Sequence, residues 1–170
     1  GFCLVGSEMC IRDSIIMSDP DLDIAIPGVI DGMRYTRQGQ ACTAGSRVYI
    51  QEKIYEKVLG GVVDKLKNLK MGNALDENSD IGAIISKEQL DRTLHYMNIA
   101  KENSSTKVLH GGNQKKEGDY KDGFFYEPTL LSGVPVESPV CQEEIFGPVA
   151  CAIPFKSFDE VLKSANNTPF

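Results

Sequence analysis

Residues 35–51 read Tyr-Thr-Arg-Gln-Gly-Gln-Ala-Cys-Thr-Ala-Gly-Ser-Arg-Val-Tyr-Ile-Gln in a chain of 170 residues. The last five of them form a short run of β-favouring residues. Apolar side chains then recur on one helix face between Ile54 and Leu69. A second β run covers 149–155, and a capped helix follows it from Ser157. Strands that alternate with helices predict an α/β fold with a largely parallel sheet and flanking helices.

Two further helices show start signals in the sequence. Ser18 is a candidate N-cap for a helix whose apolar residues are spaced over 22–33. Pro27 lies inside this pattern and is expected to kink or split the helix, because proline has no backbone N–H donor. The sequence Ser-Lys-Glu-Gln at 86–89 is a capping box that opens another amphipathic helix through Ala100.

The composition is that of an ordinary folded domain, with 41% hydrophobic and 25% charged residues. Lysine and arginine number 18 against 24 aspartates and glutamates, which gives a net charge of −6. This acidic balance argues against nucleic acid or an anionic membrane as a partner, since both attract clustered cations. No apolar run approaches the ~18 residues of a transmembrane helix.

Cysteine and histidine are too few and too irregularly spaced for a metal site or a disulfide framework. Reduced thiols and a cytoplasmic location are therefore expected. The cysteines of the chain are Cys3, Cys10, Cys42, Cys141 and Cys151, and its histidines are His95 and His110.

The two ends of the chain differ from its middle. Residues 1–14 resemble the peptide that results when sequencing-adapter DNA is translated in metagenomic assemblies. We therefore expect a non-native leader in which Cys3 and Cys10 have no function. The other end, 165–170, has neither a helix C-cap nor a polar tail, so a truncation is expected there too. The predicted folded unit is 15–170.

Cys42 lies between a helical pattern and the β run, and its neighbours are small. Gly39, Ala41, Ala44 and Gly45 would let a substrate and backbone amides approach the sulfur closely. A helix N-terminus near Cys42 would lower the thiol pKa and stabilise developing negative charge. The spacing alone favours a small buried apolar residue at position 42, because this is the commoner role of a single cysteine.

The spacing of Tyr35, Gly39, Gln40 and Cys42 resembles the active-site cysteine signature of the aldehyde dehydrogenase superfamily. In that signature an aromatic residue and three more precede Gly-Gln-x-Cys. Four further blocks resemble family segments, in the family's order. They are Asp-Ile-Gly-Ala at 80–83, Gly-Phe-Phe-Tyr-Glu-Pro-Thr-Leu at 123–130, Gln-Glu-Glu-Ile-Phe-Gly-Pro-Val at 142–149 and Ala-Asn-Asn-Thr at 165–168. The chain is thus identified as a partial catalytic domain of this superfamily.

The resemblance implies an oxidoreductase that converts an aldehyde to a carboxylate with NAD or NADP. Cys42 matches the nucleophile, and Glu144 matches the glutamate that binds the nicotinamide ribose hydroxyls. Phe146 matches the aromatic residue that packs near the nicotinamide. Gln89 and Arg92 fall where family members place ribose contacts on the capped helix. The parent protein is expected to be a homo-dimer or homo-tetramer.

Several parts that the family carries upstream of its cysteine are not matched in this sequence. They are the dinucleotide-binding domain, the oxyanion-hole asparagine and the general-base glutamate, so the isolated chain is expected to be inactive as a dehydrogenase. Two other hypotheses stay open. One is a cysteine hydrolase of esters or thioesters that pairs Cys42 with His95 or His110. The other is a non-catalytic oligomerisation fragment with an exposed sheet edge.

Overall fold

The computed structural model describes residues 12–168 of the chain. Its strands are β1 (Arg12–Ile16), β2 (Gly45–Gln51), β3 (Lys107–His110), β4 (Gln114–Lys115), β5 (Phe125–Tyr126), β6 (Thr129–Ser132) and β7 (Val149–Phe155). Its helices are α1 (Leu22–Gly32), α2 (Tyr55–Asn68), α3 (Lys87–Glu102), α4 (Pro139–Gln142) and α5 (Phe158–Ala165). Short 3₁₀ turns cover Tyr35–Arg37, Glu52–Ile54 and Gly118–Tyr120.

Five strands form one sheet in the order β1-β2-β7-β6-β3. The pairs β1–β2, β2–β7 and β7–β6 are parallel, and β3 runs antiparallel to β6 at one edge. β4 and β5 form a separate hairpin. The predicted α/β fold with a largely parallel sheet and flanking helices is therefore confirmed. β6 is not predicted from the sequence, because four residues are too short a run for a periodic signal.

Helices cover both faces of the sheet, and the strands alternate their side chains between the two faces. Val48 and Ile50 of β2 pack with α1 and α2, whereas Tyr49 points to the other face and packs with α3 and α5. Leu130 and Leu131 of β6 divide in the same way. The central strands are thus buried from both sides, as is usual for parallel sheets.

Strand β1 includes residues 12–14, which the sequence alone assigns to the leader. Arg47 donates from Nε and Nη2 to the two carboxylate oxygens of Asp13, at 2.7 Å each. Arg47 is fully buried, so this ion pair compensates a charge whose removal from water is costly. The origin of the leader stays a prediction, and its residues 1–11, with Cys3 and Cys10, lie outside the described residues.

Helix α1 begins later than predicted. Asp21 is its N-cap and accepts a hydrogen bond from the Asp23 amide at 3.0 Å, so Ser18 does not cap it. Aspartate caps a helix as well as serine does, and Asp21 stands directly before the first apolar residue. Of the helices within residues 12–168, none combines the length and the apolar character needed to cross a membrane.

Pro27 does not split α1, which runs unbroken through it. The predicted split is therefore wrong, because packing on α2 supports the helix across the missing N–H, whereas a kink at Pro27 stays a prediction. Its neighbour Ile26 lies against Gly61 of α2, where a Cβ would stand 2.3 Å from Ile26 Cδ1. A glycine that weakens α2 locally therefore lets the two helices approach closely.

Candidate active site

Cys42 lies in an irregular loop between the first 3₁₀ turn and β2. Gln38 and Gly39 have left-handed backbones, with φ of 55° and 65°, and reverse the chain before the cysteine. The Ala44 amide donates to the Ala41 carbonyl at 2.8 Å and closes a turn around Cys42. β2 follows this turn directly, so a helix N-terminus does not act on the Cys42 thiol here. Cys42 is exposed, which contradicts its interpretation as a buried apolar residue.

Other residues of the cysteine motif hold this loop in place. Tyr35 is fully buried, and its hydroxyl donates to the Thr129 carbonyl at 2.9 Å. The side-chain oxygen of Gln40 accepts from the Ile85 amide at 3.2 Å. The motif therefore anchors the backbone before Cys42 and leaves the thiol on the surface.

The Cys42 loop packs backbone to backbone on the 143–148 segment. A Cβ at Gly39 would lie 2.1 Å from the Gly147 carbonyl oxygen, a distance that excludes any side chain there. On its other side Gly147 faces Thr93 of α3, and a Cβ on Gly147 would lie 2.4 Å from Thr93 Oγ1. The two glycines thus allow the loop, the segment and α3 to stack in three layers.

Backbone hydrogen bonds join two further motif blocks, those at 80–83 and 123–130, to this stack. The Ile84 amide, which follows the 80–83 block, donates to the Phe124 carbonyl at 2.9 Å. The Thr129 amide donates to the Pro148 carbonyl at 2.7 Å. Blocks that are far apart in sequence therefore surround one site.

Replacing Tyr35 by phenylalanine is expected to lower the free energy of unfolding by about 1–2 kcal/mol, because a buried hydrogen bond to Thr129 is lost. Burial raises the pKa of the Tyr35 hydroxyl well above its usual value. Its stabilising contribution is therefore complete below the unfolded pKa of about 10 and declines above it by about 1.4 kcal/mol per pH unit. Urea unfolding of both proteins at several pH values measures this difference. A difference that stays constant up to about pH 11 would contradict it.

A narrow cleft separates the Cys42 loop from the 143–148 segment, with a cavity volume of about 20 Å³, room for about one water molecule. Ala41 and Ala44 flank Cys42 on one wall, and Glu144 and Phe146 lie on the other. The cleft is lined by Gly39, Ala41, Ala44, Gly45, Ser46, Glu144, Ile145, Phe146, Gly147 and Val149. The fold thus brings Glu144 and Phe146 next to the loop of the predicted nucleophile.

Glu144 presents a carboxylate that has no hydrogen-bond or ion-pair partner within residues 12–168. The preceding glutamate differs, since the Glu143 carboxylate accepts a hydrogen bond from the Tyr96 hydroxyl at 2.6 Å. Phe146 is partly exposed and has a left-handed φ of 56°, which is rare for a bulky residue. Glu144 is therefore the acid of this pair that is available to a ligand.

Gln89 and Arg92 contact the backbone of the 143–148 segment. Gln89 Nε2 donates to the Ile145 and Phe146 carbonyls, at 2.8 Å each. Arg92 donates to the Glu144 carbonyl from Nε, at 3.1 Å, and from Nη2. Of the two hydrogen bonds of the predicted capping box, one forms: the Gln89 backbone amide donates to Ser86 Oγ at 3.3 Å. The second, from the Ser86 backbone amide to the Gln89 side chain, does not form, because that side chain reaches across to the 143–148 segment.

The sequence model of the Aldehyde dehydrogenase family matches residues 12–170. The chain belongs to the aldehyde dehydrogenase family. Among curated relatives it is 37% identical over 157 residues to D-glyceraldehyde dehydrogenase (NADP(+)) of Picrophilus torridus, covering 92% of this chain and 31% of the relative. It is 33% identical over 156 residues to 3,6-anhydro-alpha-L-galactose dehydrogenase of a Vibrio species, covering 92% and 32%. The predicted family membership is therefore confirmed.

Solved aldehyde dehydrogenase structures have the same fold. Betaine aldehyde dehydrogenase from Staphylococcus aureus, in complex with NAD+, superposes with a TM-score of 0.88 at 33% identity. The NAD+ complex of aldehyde dehydrogenase from Bacillus cereus gives 0.85 at 36% identity. Each superposition covers 92% of this chain and 31% of the other. The chain thus spans about a third of the length of the aldehyde dehydrogenases it matches.

Cys42 is distinguished from the other described thiols and from the histidines by its position. Cys141 and Cys151 are buried, and their mutual contact together with burial raises the pKa of the Cys151 thiol, which disfavours its thiolate. His95 packs edge-on against Tyr96, and neither His95 nor His110 lines the cleft. Within residues 12–168 no group of His, Cys, Asp and Glu could hold a metal ion.

A larger cavity of about 900 Å³ lies away from Cys42, between the loops at 70–79 and 118–122. Its walls are polar and contain none of the predicted site residues.

The contacts of Thr93, Tyr96 and Glu143 with the site have no sequence signal, because they arise only when α3 packs on the 143–148 segment.

Proposed function

We propose that this chain supplies the nucleophile and the cofactor-side carboxylate of an aldehyde dehydrogenase, which oxidises an aldehyde to a carboxylate with NAD or NADP. We assign 12–170 to part of the catalytic domain, because the family model matches these residues and Asp13 pairs with the buried Arg47; the non-native leader that we propose precedes them. One observation carries the proposal: the exposed Cys42 loop packs through Gly39 on the segment that bears Glu144.

The proposed chemistry begins at the Cys42 sulfur. Its thiolate adds to the aldehyde carbonyl to form a tetrahedral thiohemiacetal, and the carbonyl oxygen becomes an oxyanion that backbone amides of the loop stabilise. A bound nicotinamide would supply the acceptor for the hydride that this carbon loses, and the carbon would then belong to a thioester on the Cys42 sulfur. Water then hydrolyses the thioester to the carboxylate and restores the thiol. Covalent catalysis thus divides one difficult oxidation into two easier steps.

Glu144 and Phe146 fit the cofactor side of this reaction. A carboxylate accepts two hydrogen bonds, so the unpartnered Glu144 side chain suits the two neighbouring hydroxyls of a ribose. Phe146 offers a partly exposed aromatic face on the same wall of the cleft. The Picrophilus torridus relative is named for NADP(+) and the Staphylococcus aureus structure holds NAD+, so either cofactor agrees with the family.

Acetylation of the isolated 170-residue chain by p-nitrophenyl acetate tests the proposed nucleophile. The Cys42 thiolate would attack the ester carbonyl, p-nitrophenolate would leave, and an S-acetyl group would remain on Cys42. We expect one acetyl group per chain and then little turnover, because no histidine lines the cleft to activate water. Peptide mapping by mass spectrometry identifies the acetylated cysteine, and we expect no reduction of NAD or NADP by this chain with an aldehyde.

The same assay separates the dehydrogenase proposal from a cysteine hydrolase. Continued release of p-nitrophenolate that is lost on replacing His95 or His110 by alanine would support the hydrolase. Acetylation spread over all five cysteines would contradict Cys42 as the nucleophile.

A further inference from the structure

We propose that Gln89 and Arg92 are positioning residues, which hold the backbone of Glu144 and Phe146 in the conformation that presents the Glu144 carboxylate. This inference rests on the proposed function, since it concerns how that carboxylate is oriented. It gives the two α3 residues a role in addition to the predicted contact with the ribose.

Gln89 holds the strained part of the 143–148 segment. Its Nε2 atom has two hydrogens, and it donates to two successive carbonyls, those of Ile145 and Phe146. The residue between these carbonyls in the chain is Phe146 itself, whose φ is 56°. A backbone conformation of this kind persists only where the surroundings over-determine it, and the bridge from Gln89 provides that constraint.

Arg92 holds the same segment one residue earlier. Its Nε and Nη2 atoms both donate to the Glu144 carbonyl. The guanidinium is itself fixed, because it lies 5.2 Å from the centroid of the Tyr96 ring and donates to the Tyr96 hydroxyl at 3.2 Å. Tyr96 in turn donates to the Glu143 carboxylate. Three successive carbonyls, at 144, 145 and 146, therefore accept hydrogen bonds from α3.

This arrangement fixes the peptide of Glu144 without engaging its side chain. The backbone carbonyl is bound by Arg92, whereas the carboxylate has no partner within residues 12–168. Both side-chain hydrogens of Gln89 are donated to carbonyls, so a ribose hydroxyl could bind Gln89 only by donating to its Oε1 atom. The donors of α3 thus orient the acid that we assign to the ligand.

Nitrogen-15 NMR relaxation of the full 170-residue chain tests the inference through the backbone amides of 145–147. We expect order parameters of about 0.85 in the unchanged chain and below about 0.6 after Gln89→Met, which removes both donors. Gln142→Met is the matched control, since Gln142 Nε2 also bridges two carbonyls, those of Val136 and Asn167. It should leave the 145–147 amides rigid.

Gln89→Glu adds a signature that loss of packing alone would not give. The ionised carboxylate cannot donate, so the segment should be mobile at neutral pH. Below a pKa of about 4.3 the protonated acid regains one donor, and the order parameters should recover towards those of the unchanged chain.

Rigid 145–147 amides in both Gln89→Met and Arg92→Met would overturn the inference. If Gln89→Met does not fold, the Arg92→Met variant alone tests the inference. Arg92 is exposed on α3, so its replacement should leave the chain folded. The result is separable from the proposed function. If the 145–147 amides become mobile in the variants but Cys42 of the unchanged chain is not acetylated, the proposed function is refuted and the positioning role of Gln89 and Arg92 stands. If Cys42 is acetylated and the 145–147 amides stay rigid in both variants, the proposed function stands and the positioning role is refuted.

Discussion

Replacing Cys42 by serine is expected to lower aldehyde oxidation more than about a thousandfold, because the sulfur forms the covalent bond on which both later steps depend. A serine hydroxyl at the same place is almost wholly protonated at neutral pH, so it is a much weaker nucleophile than a cysteine thiolate. The assay requires the rest of a dehydrogenase. A chimera in which this chain replaces the matching third of the Picrophilus torridus D-glyceraldehyde dehydrogenase supplies it.

The chimera is assayed by NADP+ reduction with D-glyceraldehyde. Cys141→Ala is the control, since Cys141 is a buried thiol away from the cleft, and it should retain activity once corrected for the folded fraction. The isolated chain gives an independent answer: Cys42→Ser should lose the acetyl group that p-nitrophenyl acetate leaves on the unchanged chain. A Cys42→Ser chimera with more than about a tenth of the original rate would refute the role of the sulfur.

The chain illustrates which parts of a site a sequence reveals. Periodicity and capping signals predict the long elements, because β2, β7 and α3 carry their own apolar pattern over seven residues or more. The motif spacing predicts Cys42 and Glu144 as chemical groups. It also contains Tyr35 and Gly39, whose roles are conformational and become visible only when their partners are in place.

Other features depend on contacts that no local pattern encodes. The strand β1 begins inside a segment that resembles a non-native leader, yet Asp13 pairs with the buried Arg47. Pro27 reads as a helix breaker, but packing of its neighbour on α2 keeps α1 continuous. Gln89 reads as half of a capping box, whereas its side chain crosses to the 143–148 segment. For Pro27 the tertiary contacts outweigh a local preference of about 3 kcal/mol against proline inside a helix.

Replacing Gly39 by alanine is expected to lower the free energy of unfolding by about 2–4 kcal/mol, the second large effect. Two causes add. The φ of 65° places an alanine Cβ in a strained conformation, and that Cβ would lie 2.1 Å from the Gly147 carbonyl oxygen. A backbone atom cannot rotate away as a side chain can, so the Cys42 loop has to separate from the 143–148 segment.

Gly60→Ala is the matched control for this change. Gly60 lies inside α2, and a Cβ there would meet nothing within 4 Å, so alanine should stabilise the chain by roughly 0.5–1 kcal/mol. Urea unfolding measures both variants, and acetylation of Cys42 under native conditions reports on the site. Because separation of the two layers would also displace the Cys42 loop, whose backbone amides we assign to the oxyanion, Gly39→Ala should alter the acetylation rate even where the chain remains folded. A Gly39→Ala chain within about 0.5 kcal/mol of the original would mean that the loop and the segment are not in backbone contact.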